Sequence, residues 1–144
     1  MNMKRLATFA TLSILGLVAP RASAQGLCSN ADFVGVYSFV ASGTSGNAGF
    51  AAAGQTIYDG NGGASGVINI SLGGTITGPI AWTGTYVVNQ NCTATKTISI
   101  PGLGPGGSAL KVDFFITAGA GFAELRFIAT DAGTIISGTA RRQN

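Results

Sequence analysis

From residue 33 onwards the chain repeats one pattern: short runs of alternating apolar and small polar residues, separated by glycine-rich turns. A period of two places successive side chains on opposite faces of a strand. Glycine disfavours helix interiors, and β-branched residues fit a pleated surface. The pattern predicts strands at 33–41, 49–58, 66–72, 75–88, 93–100, 109–117, 122–130 and 133–141. Run 66–72 sets Ile68, Ile70 and Leu72 against Val67, Asn69 and Ser71. Run 75–88 alternates most clearly in its second half, where Ile80, Trp82, Tyr86 and Val88 oppose Ala81, Thr83, Thr85 and Val87. Run 93–100 sets Lys96, Ile98 and Ile100 against Thr95, Thr97 and Ser99. In run 33–41, Phe33, Tyr37 and Phe39 share one face and Val34, Val36 and Val40 the other, so both are apolar. The one helix-capping pattern, Ser29-Asn30-Ala31-Asp32, suits a single short turn.

An antiparallel meander of about eight strands must close on itself or fold into two layers to bury one face. The expected fold is all-β, a single small antiparallel barrel, with a two-sheet sandwich as the alternative. Gly35, Gly84 and Gly138, each inside a run, suit the sharp bends of a tightly coiled barrel.

The first residues read as an export signal. Met1-Asn2-Met3-Lys4-Arg5 is a positive start, 6–18 an apolar stretch, and Ala22-Ser23-Ala24 a small-x-small cleavage site. Cleavage between Ala24 and Gln25 divides the chain into a signal peptide, 1–24, and one β-domain, 25–144. The apolar stretch is shorter than the ~20 residues of a spanning helix, and no later segment reaches that length. Leu27 before Cys28 does not suit lipoprotein processing. The expected product is periplasmic or extracellular, with no membrane span after cleavage. Export makes a disulfide between Cys28 and Cys92, the only two cysteines, the natural reading. Closing a loop of about 64 residues stabilises a fold by roughly 4 kcal/mol in the chain-entropy model.

Charge narrows the partners. Lys4, Arg5 and Arg21 leave with the signal, and Lys96, Lys111, Arg126, Arg141 and Arg142 then balance Asp32, Asp59, Asp113, Glu124 and Asp131. No basic field remains to attract phosphates, so nucleic acid is not an expected partner. A neutral, charge-poor surface offers little repulsion against self-association. Histidine is absent, which removes Ser-His-Asp and Cys-His nucleophiles and His-ligated metal sites. No metal and no cofactor is expected. Asp59-Gly60-Asn61-Gly62-Gly63 starts like a calcium loop, but Gly63, Ala64 and Ile70 stand where an EF-hand needs a ligand, a glycine and a glutamate. It reads as a hairpin turn. Gly102-Leu103-Gly104-Pro105-Gly106-Gly107 matches a dinucleotide fingerprint by letter, yet a strand pattern follows where a helix is required.

Asp113, Glu124 and Arg126 are the remaining chemistry-bearing candidates. A loop of 118–121 would set Asp113 opposite Arg126 and Phe115 opposite Glu124. Leu110, Val112, Phe114, Ile116, Leu125 and Phe127 make the better core face, which turns the charges to solvent as a cross-strand pair. Turned inward instead, they would orient a ligand or donate a proton.

The pattern Cys28-x₄-Phe33-x-Gly35-x-Tyr37-x-Phe39, then Tyr58-Asp59-Gly60-Asn61-Gly62, Gly84-Thr85-Tyr86-x-x-Asn89-x-x-Cys92-Thr93 and Ser137-Gly138-Thr139 resembles small secreted bacterial β-barrel proteins. In strand count the chain is similar to calycin and allene-oxide-cyclase-type barrels. That resemblance implies a cavity for an apolar molecule; no cyclase active-site residue is matched, so no catalytic role carries over. Three functions follow as expectations. The first is a small apolar ligand held in the barrel. The second is a cofactor-independent cyclase or isomerase using Asp113, Glu124, Arg126 and one of Tyr37, Tyr58 or Tyr86. The third is a structural or adhesive surface module with a filled interior.

Overall fold

Eight antiparallel strands follow one another around a closed barrel in a computed structural model that describes residues 27–144. They are β1 (Val34–Ser45), β2 (Ala48–Asp59), β3 (Gly63–Leu72), β4 (Thr75–Val88), β5 (Thr93–Ile100), β6 (Leu110–Ala118), β7 (Glu124–Ala129) and β8 (Thr134–Arg142). Each strand pairs with its sequence neighbours, and β8 closes the ring against β1, from Thr134 opposite Ser45 to Arg142 opposite Tyr37. The architecture is the barrel and not the sandwich. Among the described residues helix is confined to 3-10 turns at Asn30–Asp32, Pro105–Gly107 and Ala120–Phe122. The signal peptide, 1–24, and the Ala24–Gln25 cleavage point lie outside the described residues.

Alternation decides the two faces. On β4, Trp82, Tyr86 and Val88 are buried while Ala81, Thr83, Thr85 and Val87 are exposed. Its first half lacks this order because the β3–β4 register shifts: Ile68 faces Ile80, but Ile70 faces Thr77, leaving Gly78-Pro79 as the extra length. Such a bulge moves the following side chains to the other face. Leu72, expected to be buried with Ile68 and Ile70, ends β3 and is exposed. The outer wall carries Gln55, Asn69, Asp113 and Arg126 beside Thr, Ser and Val. Large apolar side chains also stand on this outer face, among them Val40, Ile57, Val67, Val87 and Ile128. No helix among the described residues is long and apolar enough to cross a membrane.

One end of the barrel is plugged. Phe33 lies at its centre, fully buried, with Tyr58, Tyr86 and Phe122 rings 5.3–5.9 Å away. Tyr86 donates its hydroxyl proton to the Phe33 carbonyl at 2.8 Å, and Tyr37 donates to the Phe122 carbonyl at 2.8 Å. The segment leading into β1 is laced across this end. The amide of Val88 donates to Asn30 Oδ1 at 2.8 Å, and the Cys28–Cys92 disulfide ties it to the start of β5. The expected bridge is therefore present.

Two expected turns are also present. Asp59 accepts the amides of Asn61 and Gly63, at 2.7 and 2.8 Å, which holds its carboxyl below the usual range. The Gly102–Gly107 stretch is a loop with one 3-10 turn, and β6 follows it.

Strand glycines let large rings cross the interior. A Cβ on Gly138 would lie 2.4 Å from Phe127 Cζ and 2.3 Å from the Val40 carbonyl oxygen. Gly66 stands in the same relation to the Trp82 indole, with 2.7 Å to Cζ2. Real side chains do not tolerate such approaches, so a methyl group here must displace ring and backbone together. Gly138→Ala is expected to destabilise the barrel by about 2–3 kcal/mol, read as a lower urea midpoint. A cost within experimental error would show that the Phe127 ring does not depend on that space.

Candidate functional site

Above the plug the inward side chains become too small to meet. The result is a cavity of about 310 Å³ reaching from Tyr58 to the opposite rim, where Ser45, Lys111, Asp131 and Thr134 line it. This is the lower end of the ~300–1,000 Å³ typical of small-molecule sites. Its wall is mainly apolar: Phe39 and Ala41 from β1, Phe50 and Ala52 from β2, Ile68 and Ile70 from β3, Phe114 and Ile116 from β6. Trp82 contributes its ring, and its buried indole N–H has no hydrogen-bond partner among the described residues.

One charged group stands in the middle of this wall. Lys96 shares the inward face of β5 with Ala94, Ile98 and Ile100. Its Nζ lies 5.2 Å from the Trp82 ring centre, 5.3 Å from Phe114, 5.5 Å from Tyr58 and 6.0 Å from Phe127. Such distances allow cation–π attraction, worth about 0.5–2 kcal/mol per good contact. Nζ donates one long hydrogen bond, 3.3 Å, to Tyr58 Oη. The ion pairs among the described residues join Glu124 to Arg126 and Arg141, and none reaches Lys96. Rings and one phenol thus surround a cation without a counter-ion.

Desolvation pulls the Lys96 ammonium from 10.5 down to about 8. Burial raises Tyr58 well above its ordinary value, with Tyr37 and Tyr86 adding to the effect. Tyr58 is therefore neutral wherever Lys96 is charged. Its oxygen accepts from Lys96, and its own proton has no protein acceptor among the described residues. Two donors consequently face the cavity beside one positive charge.

The sequence candidates lie elsewhere. Asp113 is exposed on the outer face of β6 and accepts the Thr97 hydroxyl. Arg126 is exposed, and half-buried Glu124 bridges it, at 3.1 Å, to Arg141, at 3.3 Å. None of the three lines the cavity. The expected Asp113–Arg126 pair is also absent. Arg126 faces Thr117 and Phe115 faces Ile128, because the 3-10 turn at Ala120–Phe122 lengthens the connection and slides β7 by four positions. Of the three tyrosines, only Tyr58 lines the cavity; Tyr37 and Tyr86 spend their hydroxyls on carbonyls of the plug. Lys96 is the residue that the chemical search of the sequence passed over. Its signal was its place in alternation with Ile98 and Ile100.

The depressed lysine has a stability consequence. Below about pH 8 folded and unfolded chains both hold this proton, and the folded state bears the full cost of the buried charge. As pH rises from about 8 towards 10.5, the folded chain is neutral while the unfolded chain stays charged, so stability increases. Burial raises Tyr37, Tyr58 and Tyr86, so above about pH 10 the unfolded chain ionises first and stability falls. Thermal melts should therefore gain the equivalent of roughly 2 kcal/mol between about pH 7 and 9.5, then decline. Lys96→Met should melt higher than the native chain at neutral pH and lose the alkaline gain. A native profile flat over that interval would contradict a desolvated Lys96.

No family model, curated protein or solved structure matches this chain, which leaves the cavity and its inward-facing, half-buried lysine as the ground for a functional reading.

Proposed function

We propose that this chain is an exported barrel that holds one small, mainly apolar molecule in its interior. The observation that carries the reading is the unfilled volume of about 310 Å³, walled by apolar side chains above a tightly packed plug. A barrel serving only as a scaffold or adhesive has no use for such a void, since empty space next to Ile and Phe side chains costs stability. The cyclase alternative loses Asp113, Glu124 and Arg126, which face outwards. Export is supported by the 1–24 pattern and by the Cys28–Cys92 bridge, a linkage that persists in oxidising compartments.

The test uses a neutral fluorescent probe, N-phenyl-1-naphthylamine. It is expected to brighten on titration into the protein and to saturate at one site. Ala52→Phe, which fills the cavity from β2, should lower its affinity at least tenfold with the circular dichroism of the barrel unchanged. Absence of saturable uptake by the native protein would refute the reading.

A further inference from the structure

Away from the rim, where Ser45, Lys111, Asp131 and Thr134 line it, the cavity wall is apolar except at Lys96, Tyr58, Thr56 and the unpartnered Trp82 indole N–H, and the lysine has no anionic partner among the described residues. Resting on the ligand reading above, we propose that the bound molecule is an amphiphilic monocarboxylate whose head group meets Lys96 Nζ and the Tyr58 hydroxyl while its apolar body fills the space towards the rim. Three observations converge on this chemistry.

First, a buried ammonium without a counter-ion is costly, and aromatic faces compensate only part of the lost hydration. An apolar chain gains nothing from a charge at this position, since Met or Leu would pack the wall better. A carboxylate entering the cavity brings the missing charge and converts a liability into a charge-assisted hydrogen bond. Second, the donors match the head group in number. Lys96 offers N–H groups beyond the one directed to Tyr58, and the Tyr58 proton has no protein acceptor among the described residues, so each carboxylate oxygen meets a donor. Third, the charge count sets the class. Lys111 and Asp131 offset each other at the rim, so Lys96 is the one charge deeper in the wall and balances a monoanion beside Tyr58; a phosphate monoester at that depth would bring a second charge with nothing to meet it. The remaining wall, with Phe39, Phe50, Ile98 and Phe127, suits a hydrocarbon or aromatic body.

Trp82 is the only tryptophan and lines the cavity, so its emission reports occupancy directly. Decanoate and decan-1-ol, equal in chain length and different in charge, are titrated at neutral pH into the native protein and into Lys96→Met. The native protein is expected to bind decanoate at least tenfold more tightly than decanol. Lys96→Met should lose that preference by weakening decanoate tenfold or more, with decanol affinity held within threefold. Equal affinities in the native protein, or unaltered decanoate binding by Lys96→Met, would overturn the head-group assignment and leave the ligand reading standing. Failure of both probes to bind, together with failure of the neutral naphthylamine, would overturn both.

Discussion

Pairing of β8 with β1 leaves this sheet without a free edge, and the rest of the molecule follows from that closure. Eight strands in a ring enclose a narrow space whose width they fix, so each inward side chain must find partners across the axis. At one end the chain meets the demand with rings: Phe33, Tyr37, Tyr58, Tyr86 and Phe122 pack edge to face, and glycines elsewhere in the wall yield to Trp82 and Phe127. At the other end, small residues such as Ala41, Ala52 and Ala140 leave the axis unfilled. The cavity is thus the part of a fixed interior that the sequence declines to occupy. Closure also forbids a strand to turn a mismatched residue outwards, because a one-residue slip would expose Ile98 and Ile100 along with Lys96.

Much of this architecture was legible in period and punctuation. The bounds of β4 and β5 are those that the alternation and flanking turns indicate, and the buried row Trp82, Tyr86 and Val88 can be read from the residues alone. The failures have local causes. The β6–β7 register could not be read because Gly119, Gly121 and Phe122 look like a simple turn and a strand start, whereas the backbone inserts a 3-10 turn there. The two halves of β4 follow different parities because a bulge separates them, and no short window of sequence announces it. Lys96 shows a third kind of failure. Its position on the apolar face was plain, but a lysine in a strand is most often a solvated edge residue, and only the ring of aromatic neighbours from β2, β4, β6 and β7 shows what surrounds it.

That lysine breaks the consistency that the rest of the barrel keeps. Along most of the barrel apolar alternation, turn chemistry and packing agree, as expected of a sequence that specifies one structure. At Lys96 local energetics and global fold conflict, and the conflict sits beside the unfilled space inside the barrel. On the ligand reading proposed above, a destabilising group kept next to a void is what a binding site held at some cost in stability would show. Its surroundings are rigid: Tyr58 is fixed between Tyr37 and Tyr86, and Trp82 rests on Gly66. The amine is therefore held in place by the wall, and a ligand need not organise it.

The seam between β1 and β8 is held by the same ladder as every other pair, and near it Gln143 donates its amide to the Val36 carbonyl at 2.8 Å. The segment that follows β8 accordingly runs beside the strand with which the barrel begins. The ladder at that seam is continuous like its neighbours, and the distant Gly73-Gly74 turn between β3 and β4 is exposed, with open space around Gly74. Where a chain starts is, for a sheet of this kind, a matter of gene order and not of architecture. A version circularised by a short linker across the seam and reopened at that distant hairpin has every ladder and every wall residue available to rebuild the same vessel.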